Sequence, residues 1–300
     1  MKRRHFLSYL TLSALTVRSG LIWAASKRVT TQILPLWPDL PPGGGGPAGD
    51  LVISTKGAQR NIVQPTLTVL TPPSPNGRAV LIAAGGGYSR IEMGKEAWPA
   101  AAWLTAREYT VYVLSYRLPH EGWKDGAMVS LQDAQRALRL VRQREKYLSV
   151  LGFSAGGHLL GMAVTRADFR SYWATDALDN LPATADRAAL IYSIITLEAP
   201  YTHTSTHKML VGNHAPASEN AAWSVQEFVN PQSPPFFLVQ AEDDPISDPH
   251  NTLIMSDACK REHVPVEMHR YSSGGHGFGM GRPGTPTMAW PEHYEKWLKS

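Results

Sequence analysis

An apolar run, a serine set between glycines and a helical stretch follow one another without a break: Leu148-Ser149-Val150-Leu151-Gly152-Phe153, then Ser154, then Ala155-Gly156-Gly157-His158-Leu159-Leu160. A strand can pass into a helix over one residue only through a tight, strained turn. Glycines two places before and two places after the serine let strand and helix backbones approach while the Ser154 hydroxyl projects from the bend. Gly-x-Ser-x-Gly alone is a weak pattern in a chain with 25 glycines. Its seat between a strand and a helix is what gives it weight.

The rest of the chain supplies the frame such a turn needs. Short apolar runs at 79–84, 110–116, 148–153, 188–195, 235–240 and 264–271 alternate with segments of helical period at about 95–107, 129–146, 155–166, 251–261 and 290–298. Within 129–146, Leu131, Ala134, Leu138 and Val141 form one stripe. Parallel strands need crossovers that helices supply, so the alternation predicts an α/β fold with a mostly parallel central sheet and helices on both faces. No repeat or composition break divides 51–300, which reads as one catalytic domain. Before it, 26–50 reads as a lead-in loop, because Pro41-Pro42 and Gly43-Gly44-Gly45-Gly46 suit neither helix nor central strand. The stretch 196–230 reads as an insertion over the sheet edge.

A serine hydroxyl becomes a nucleophile only when a base takes its proton, and the base in turn needs a carboxylate to orient it. In the order serine, acid, histidine expected for this turn, both partners lie downstream. Phe236-Phe237-Leu238-Val239-Gln240 runs into Ala241-Glu242-Asp243-Asp244-Pro245-Ile246, and the next strand runs into Gly274-Gly275-His276-Gly277. The glycines let the loop carry the His276 imidazole inward, whereas His269 alternates with Glu267 inside the strand and reads as a strand side chain. The strand Leu81-Ile82-Ala83-Ala84 ends in Gly85-Gly86-Gly87, whose amides can turn toward an oxyanion. No Gly-Lys-Ser/Thr follows, which argues against a nucleotide loop.

On these blocks, together with Tyr116-Arg117-Leu118-Pro119, the chain resembles the α/β-hydrolase esterases, and among them exported bacterial acetyl xylan esterases and related carbohydrate esterases. The resemblance covers about 35–300. It implies Ser154 as nucleophile, Asp244 as acid and His276 as base, with the amides of Gly86, Gly87 and Ala155 as oxyanion donors. Two positions depart from the pattern: Ala84 stands where a histidine often precedes the glycines, and Ser247 where a valine often follows the acid. The first leaves the support of the oxyanion loop unassigned, and the second bears on the choice between Asp243 and Asp244.

Other residues read as structure. His158, one helical turn after Ser154, is expected to satisfy a buried hydrogen bond beneath the turn. His203 and His207 have metal-compatible spacing but no intervening glutamate, so a structural or substrate-edge role is expected. Trp98, Trp103, Trp223 and Trp290 could stack on sugar rings, although most read as core. Arg117 and Asp133 read as a structural ion pair. The lone Cys259 can make neither an internal disulfide nor a thiolate metal site.

Residues 1–25 contain Lys2, Arg3, Arg4 and Arg18 and no acid, so of 29 basic residues 25 remain to face 25 acidic ones. The net charge of +4 belongs to this leader, which removes the electrostatic case for a nucleic-acid or anionic-membrane partner. Arg3-Arg4-His5-Phe6-Leu7 before an apolar stretch resembles a twin-arginine export signal, implying a periplasmic or secreted protein with no membrane insertion after export.

The expected function is a serine carboxylesterase that removes short acyl groups, acetyl above all, from a carbohydrate or small ester, with no metal or organic cofactor implied. A peptidase similar to the prolyl oligopeptidases shares the same residues, but the large N-terminal propeller of that group is missing. A silent, hydrolase-like binding protein is the remaining alternative. Between Ile195 and Ser233 no long amphipathic helix is available as a lid, so short acyl chains are expected.

Overall fold

The computed structural model describes residues 28–300. The export signal expected at 1–25 lies outside the described residues. The chain begins with β1 (Thr30–Pro35), a small ribbon of β2 (Val52–Ile53) and β3 (Gln59–Arg60), then β4 (Thr66–Thr71) and β5 (Arg78–Ala83). A turn at Met93–Ala97 leads into α1 (Trp98–Thr105), then β6 (Thr110–Ser115), α2 (Met128–Arg144), β7 (Tyr147–Phe153), α3 (Ala155–Thr165) and β8 (Arg187–Ile191). Two short helices, α4 (Ser205–Leu210) and α5 (Ala217–Ala222), precede β9 (Phe236–Ala241), α6 (His250–Arg261), β10 (Val266–Tyr271) and α7 (Trp290–Lys299).

The main sheet has eight strands in the order β1-β4-β6-β5-β7-β8-β9-β10. From β6 through β10 every neighbouring pair is parallel, as the α/β alternation predicts. Every residue of β6 and β9 is buried, the signature of strands covered on both faces. On one helix pair, Trp103 of α1 stacks on Tyr294 of α7 at 6.2 Å between centroids. On the other, α2 packs along α3, and Leu131, Ala134, Leu138 and Val141 of α2 are all buried, as their stripe requires. One apolar cluster runs from Leu36 to Leu298.

The lead-in loop assigned to 26–50 is corrected at its start: Thr30–Pro35 is an edge strand paired antiparallel with β4, which pairs antiparallel with β6. TTQILP and TLTVLT are rich in threonine and only partly buried, so neither presents the continuous apolar run that marks the inner strands. The proline- and glycine-rich remainder is held by the Arg117 and Asp133 pair. Asp133 accepts from the Trp37 indole at 2.8 Å and from Arg117 Nη2 at 2.7 Å, and the guanidinium also donates to the Pro42 carbonyl. The 196–230 segment is also corrected. It leaves β8, an interior strand, and places Thr204–Thr206 over the mouth of the site.

Candidate active site

The site lies at the C-terminal ends of β5, β7, β9 and β10, where parallel strands release their loops. Ser154 has φ 50° and ψ −120°, a conformation L-residues rarely adopt, held by its N–H to the Ile191 carbonyl at 2.9 Å and by its carbonyl accepting from His158 N–H at 3.1 Å. The glycines around it are needed for space. A Cβ on Gly156 would fall 2.2 Å from the Ala83 carbonyl, and one on Gly157 would fall 1.8 Å from the Ser193 hydroxyl. The strained turn is thus over-determined by close backbone packing.

Ser154 Oγ lies 2.8 Å from His276 Nε2, and His276 Nδ1 lies 2.8 Å and 3.1 Å from the two Asp244 oxygens. Asp244 is buried. Its Oδ1 accepts from the Ile246 and Ser247 amides at 2.8 and 2.9 Å, and its Oδ2 from Gln240 Nε2 at 3.1 Å. Asp243 does something else: its Oδ1 accepts from the amides of Gly274 and Gly275 at 2.8 and 2.7 Å, clamping the loop that carries His276. The two neighbouring acids therefore divide the work, one reaching the imidazole and one its backbone. Ser247, at the position where the sequence departs from the pattern, uses its hydroxyl to hold the Ser193 carbonyl at 2.9 Å.

The amides of Gly86, Gly87 and Ala155 have no acceptor among the described residues. Gly86 and Gly87 adopt φ 121° and 61°, so glycine is required to aim this loop. Both line a cavity of about 230 Å³ with Ser154, His276, Ile194, Thr204, Ser205, Thr206 and Ile246. Ser205 Oγ donates to the Gly87 carbonyl at 3.0 Å, so the 196–230 segment forms part of the wall. At the mouth, Arg90 pairs with Glu92, and Lys95 lies over Gly277, where an added Cβ would sit 2.8 Å from Nζ.

Two residues went unnoticed in the sequence. Glu96 is buried, accepts from the Gly85 amide at 2.6 Å and from the Tyr192 hydroxyl at 3.0 Å, and lines the cavity. Burial raises its carboxyl above the usual range, while the two hydrogen bonds and nearby His276 oppose that rise. Tyr192, at φ 39° just past β8, packs edge-on against His276 at 5.1 Å. The only signal was Ala84: with no histidine ahead of the glycines, support for the loop has to come from elsewhere.

The residues read as structural behave so. His158 is fully buried, paired with the Tyr88 hydroxyl at 2.9 Å and the Trp223 carbonyl at 2.7 Å, and burial pushes its pKa down to about 4. His207 pairs with Asn220 at 3.0 Å and is buried. His269 lies in β10 and bonds Glu267 at 2.7 Å, away from Ser154. Trp290 is core and Trp103 and Trp223 are half-buried against it, whereas Trp98 is exposed. Burial pushes the Cys259 thiol up to about 12.

The chain is 25% identical over 249 residues to an acetylxylan esterase of Xylanibacter ruminicola, covering 76% of this chain and 47% of the relative. It is 27% identical over 231 residues to endo-1,4-beta-xylanase B of Butyrivibrio fibrisolvens, covering 73% and 34%. The chain thus spans half or less of the curated relatives it matches. Among solved structures, an acetyl ester-xyloside bifunctional hydrolase from Caldicellulosiruptor lactoaceticus superposes with TM-score 0.73 at 28% identity, over 89% of this chain and 95% of that one. The carboxylesterase Cest-2923 from Lactobacillus plantarum superposes with TM-score 0.66 at 21% identity, over 91% and 97%, a likeness of fold. The prolyl oligopeptidase family profile matches residues 112–300, which carry Ser154, Asp244 and His276, and the chain belongs to that family of α/β-hydrolases.

Proposed function

We propose that the protein is a serine carboxylesterase that removes short acyl groups, chiefly acetyl, from a carbohydrate. The observation that carries this reading is the continuous relay from Ser154 through His276 to Asp244 beside the unpaired amides of Gly86, Gly87 and Ala155. His276 Nε2 takes the Ser154 proton as Oγ bonds to the ester carbonyl carbon, and the carbonyl oxygen gathers negative charge against the three amides. The imidazolium is stabilised by Asp244 and returns its proton to the departing alcohol as the C–O bond breaks. Water, deprotonated by His276, then releases the acid from the acyl-serine.

Acetyl on a carbohydrate is favoured by the size of the cavity and by the relatives, since an acetylxylan esterase and an acetyl ester-xyloside hydrolase are among them. Thr204, Ser205 and Thr206 line the cavity, and the exposed Ser205 hydroxyl offers a sugar a polar contact there. The family match raises a peptidase as a second reading, and the same assay separates them. The purified protein should turn over p-nitrophenyl acetate and release acetate from acetylated xylan while leaving proline-containing p-nitroanilide peptides intact. Peptide cleavage without ester turnover would reverse the assignment, and the absence of both activities from the folded wild-type protein would point to a binding protein. We also place the protein in the periplasm or outside the cell through its Arg3-Arg4 leader. Changing both arginines to lysine should retain it in the cytoplasm, and unchanged export would indicate the general secretory route.

A further inference from the structure

We propose that Glu96 is a positioning residue of this ester chemistry, its carboxylate holding the oxyanion loop at Gly85 with one oxygen and, through Tyr192, the histidine loop at Gly279 with the other. The inference rests on the esterase reading of Ser154 given above and adds to it the group that sets the distance between the two loops.

The connections are continuous. Glu96 Oε2 accepts from the Gly85 N–H at 2.6 Å, the residue immediately before the unpaired amides of Gly86 and Gly87. The same turn grips Gly85 from its other side, because Glu92 N–H donates to the Gly85 carbonyl at 3.0 Å. Glu96 Oε1 accepts from the Tyr192 hydroxyl at 3.0 Å, and that hydroxyl oxygen accepts from Gly279 N–H at 3.1 Å, three residues past His276. Tyr192 also presses edge-on against both His276 and Phe278. Both loops are therefore referred to one carboxylate that is 3% exposed.

The placement is costly, which argues for a task. A buried carboxyl loses hydration, and burial is the largest influence on Glu96, raising it above the ordinary carboxylate range. A purely structural loop tie could be made by a neutral side chain. A carboxylate is the side chain that can accept from two donors arriving from opposite sides without presenting a donor of its own. Glutamine at this position keeps one acceptor oxygen for Gly85 N–H but meets Tyr192 only as a donor, so the hydroxyl must reverse its role and accept from both the NH₂ and Gly279 N–H, and the charge-assisted tie between the two loops is lost. Oxyanion donors act through pre-set geometry, so a loosened Gly85 should impair the transition state more than substrate binding.

The test measures kcat and KM on p-nitrophenyl acetate together with Ki for an aryl trifluoromethyl ketone, whose serine adduct places an oxyanion against the same amides. Glu96→Gln should lower kcat by about 10- to 100-fold with KM within about threefold, and Ki should weaken by the same factor as kcat/KM. Tyr192→Phe, which keeps the Gly85 tie and removes the Gly279 one, should lower kcat by about three- to tenfold, and the double variant should be no worse than Glu96→Gln within about threefold. If Glu96→Gln does not fold, Tyr192→Phe and its Ki carry the test. Wild-type kcat within twofold in these variants, a loss confined to KM, or a fallen kcat with unchanged Ki overturns the proposal. Unchanged Tyr192→Phe beside an impaired Glu96→Gln overturns the link to the histidine loop. Turnover that survives Ser154→Ala instead overturns the esterase reading and this proposal with it.

Discussion

At the end of β6, the Arg117 guanidinium and the Asp133 carboxylate have no exposed side-chain surface, and their polar atoms find partners in one another, in Trp37, Gln132 and the Pro42 and Val129 carbonyls. At the ends of β7, β9 and β10, Ser154, His276 and Asp244 are also linked side chain to side chain, but this cluster opens on a cavity lined by amides with no acceptor. The residue types are comparable and the burial of the two carboxylates is comparable. What separates a structural ion pair from a reactive centre is what each leaves unfinished. The first is closed and pins a proline- and glycine-rich loop to the sheet, while the second leaves amides without an acceptor, which on the proposed esterase reading await a charge that forms only during reaction.

Substitutions on either side should therefore have opposite signatures. Ser154→Ala is expected to lower kcat/KM on p-nitrophenyl acetate by about 10⁴-fold or more with an unchanged melting temperature, because residual turnover then rests on the amides and binding alone. Asp133→Ala should do the reverse. It strands a buried guanidinium, and denaturant unfolding should show a loss of about 3–5 kcal/mol while the folded fraction keeps its kcat. A large kcat loss without destabilisation in Asp133→Ala would erase the contrast.

His158 sharpens it through pH. Its folded pKa of about 4 lies below the ordinary value of 6.5, with burial the leading cause. The unfolded chain therefore binds the proton more readily, and the stability His158 supports is present above about pH 6.5 and is lost as pH falls toward about 4, an effect of about 3 kcal/mol. His158→Gln should flatten that part of the stability curve, and an unchanged slope would show that His158 is not the group responsible.

Asp244 and Asp243 give the same contrast between adjacent residues. Asp244→Asn should cost about 100-fold more in kcat than Asp243→Asn, since only Asp244 meets the imidazole while Asp243 holds backbone amides. Equal losses would mean that clamping the loop matters as much as stabilising the imidazolium. The smallest effect expected is acyl selectivity: kcat/KM should fall by about tenfold from acetate or propionate to octanoate, about 1.4 kcal/mol, because α4 and α5 are single short helices that offer no extended apolar wall. A maximum at eight carbons would contradict the small cavity.

How much of this could be read from the residues depends on how local the signal was. Ser154, His276 and the glycine loop were legible because each needs a particular backbone, and glycine spacing records backbone demands directly. The inner strands were legible because burial on both faces leaves unbroken apolar runs. β1 and β4 were not, since the edge strand β1 is almost wholly exposed, β4 alternates between buried and half-buried residues, and both are threonine-rich. Glu96 was invisible for another reason. In the run Met93-Gly94-Lys95-Glu96-Ala97 a glutamate looks like any solvated helix residue, and only the fold brings it beneath Gly85. The choice of Asp244 over Asp243 agrees with the geometry, but the clamp made by Asp243 depends on a loop that arrives some thirty residues later in the chain.

The central claim is that the Ser154 hydroxyl, unlike the other serines among the described residues, is poised to form a covalent bond. Treating the folded protein with a fluorophosphonate and mapping the adduct by peptide mass spectrometry tests this directly. The account predicts one adduct on Ser154, lost in Ser154→Ala and strongly slowed in His276→Ala. Labelling on another serine such as Ser130 or Ser149, or no labelling of an otherwise folded protein, would contradict it.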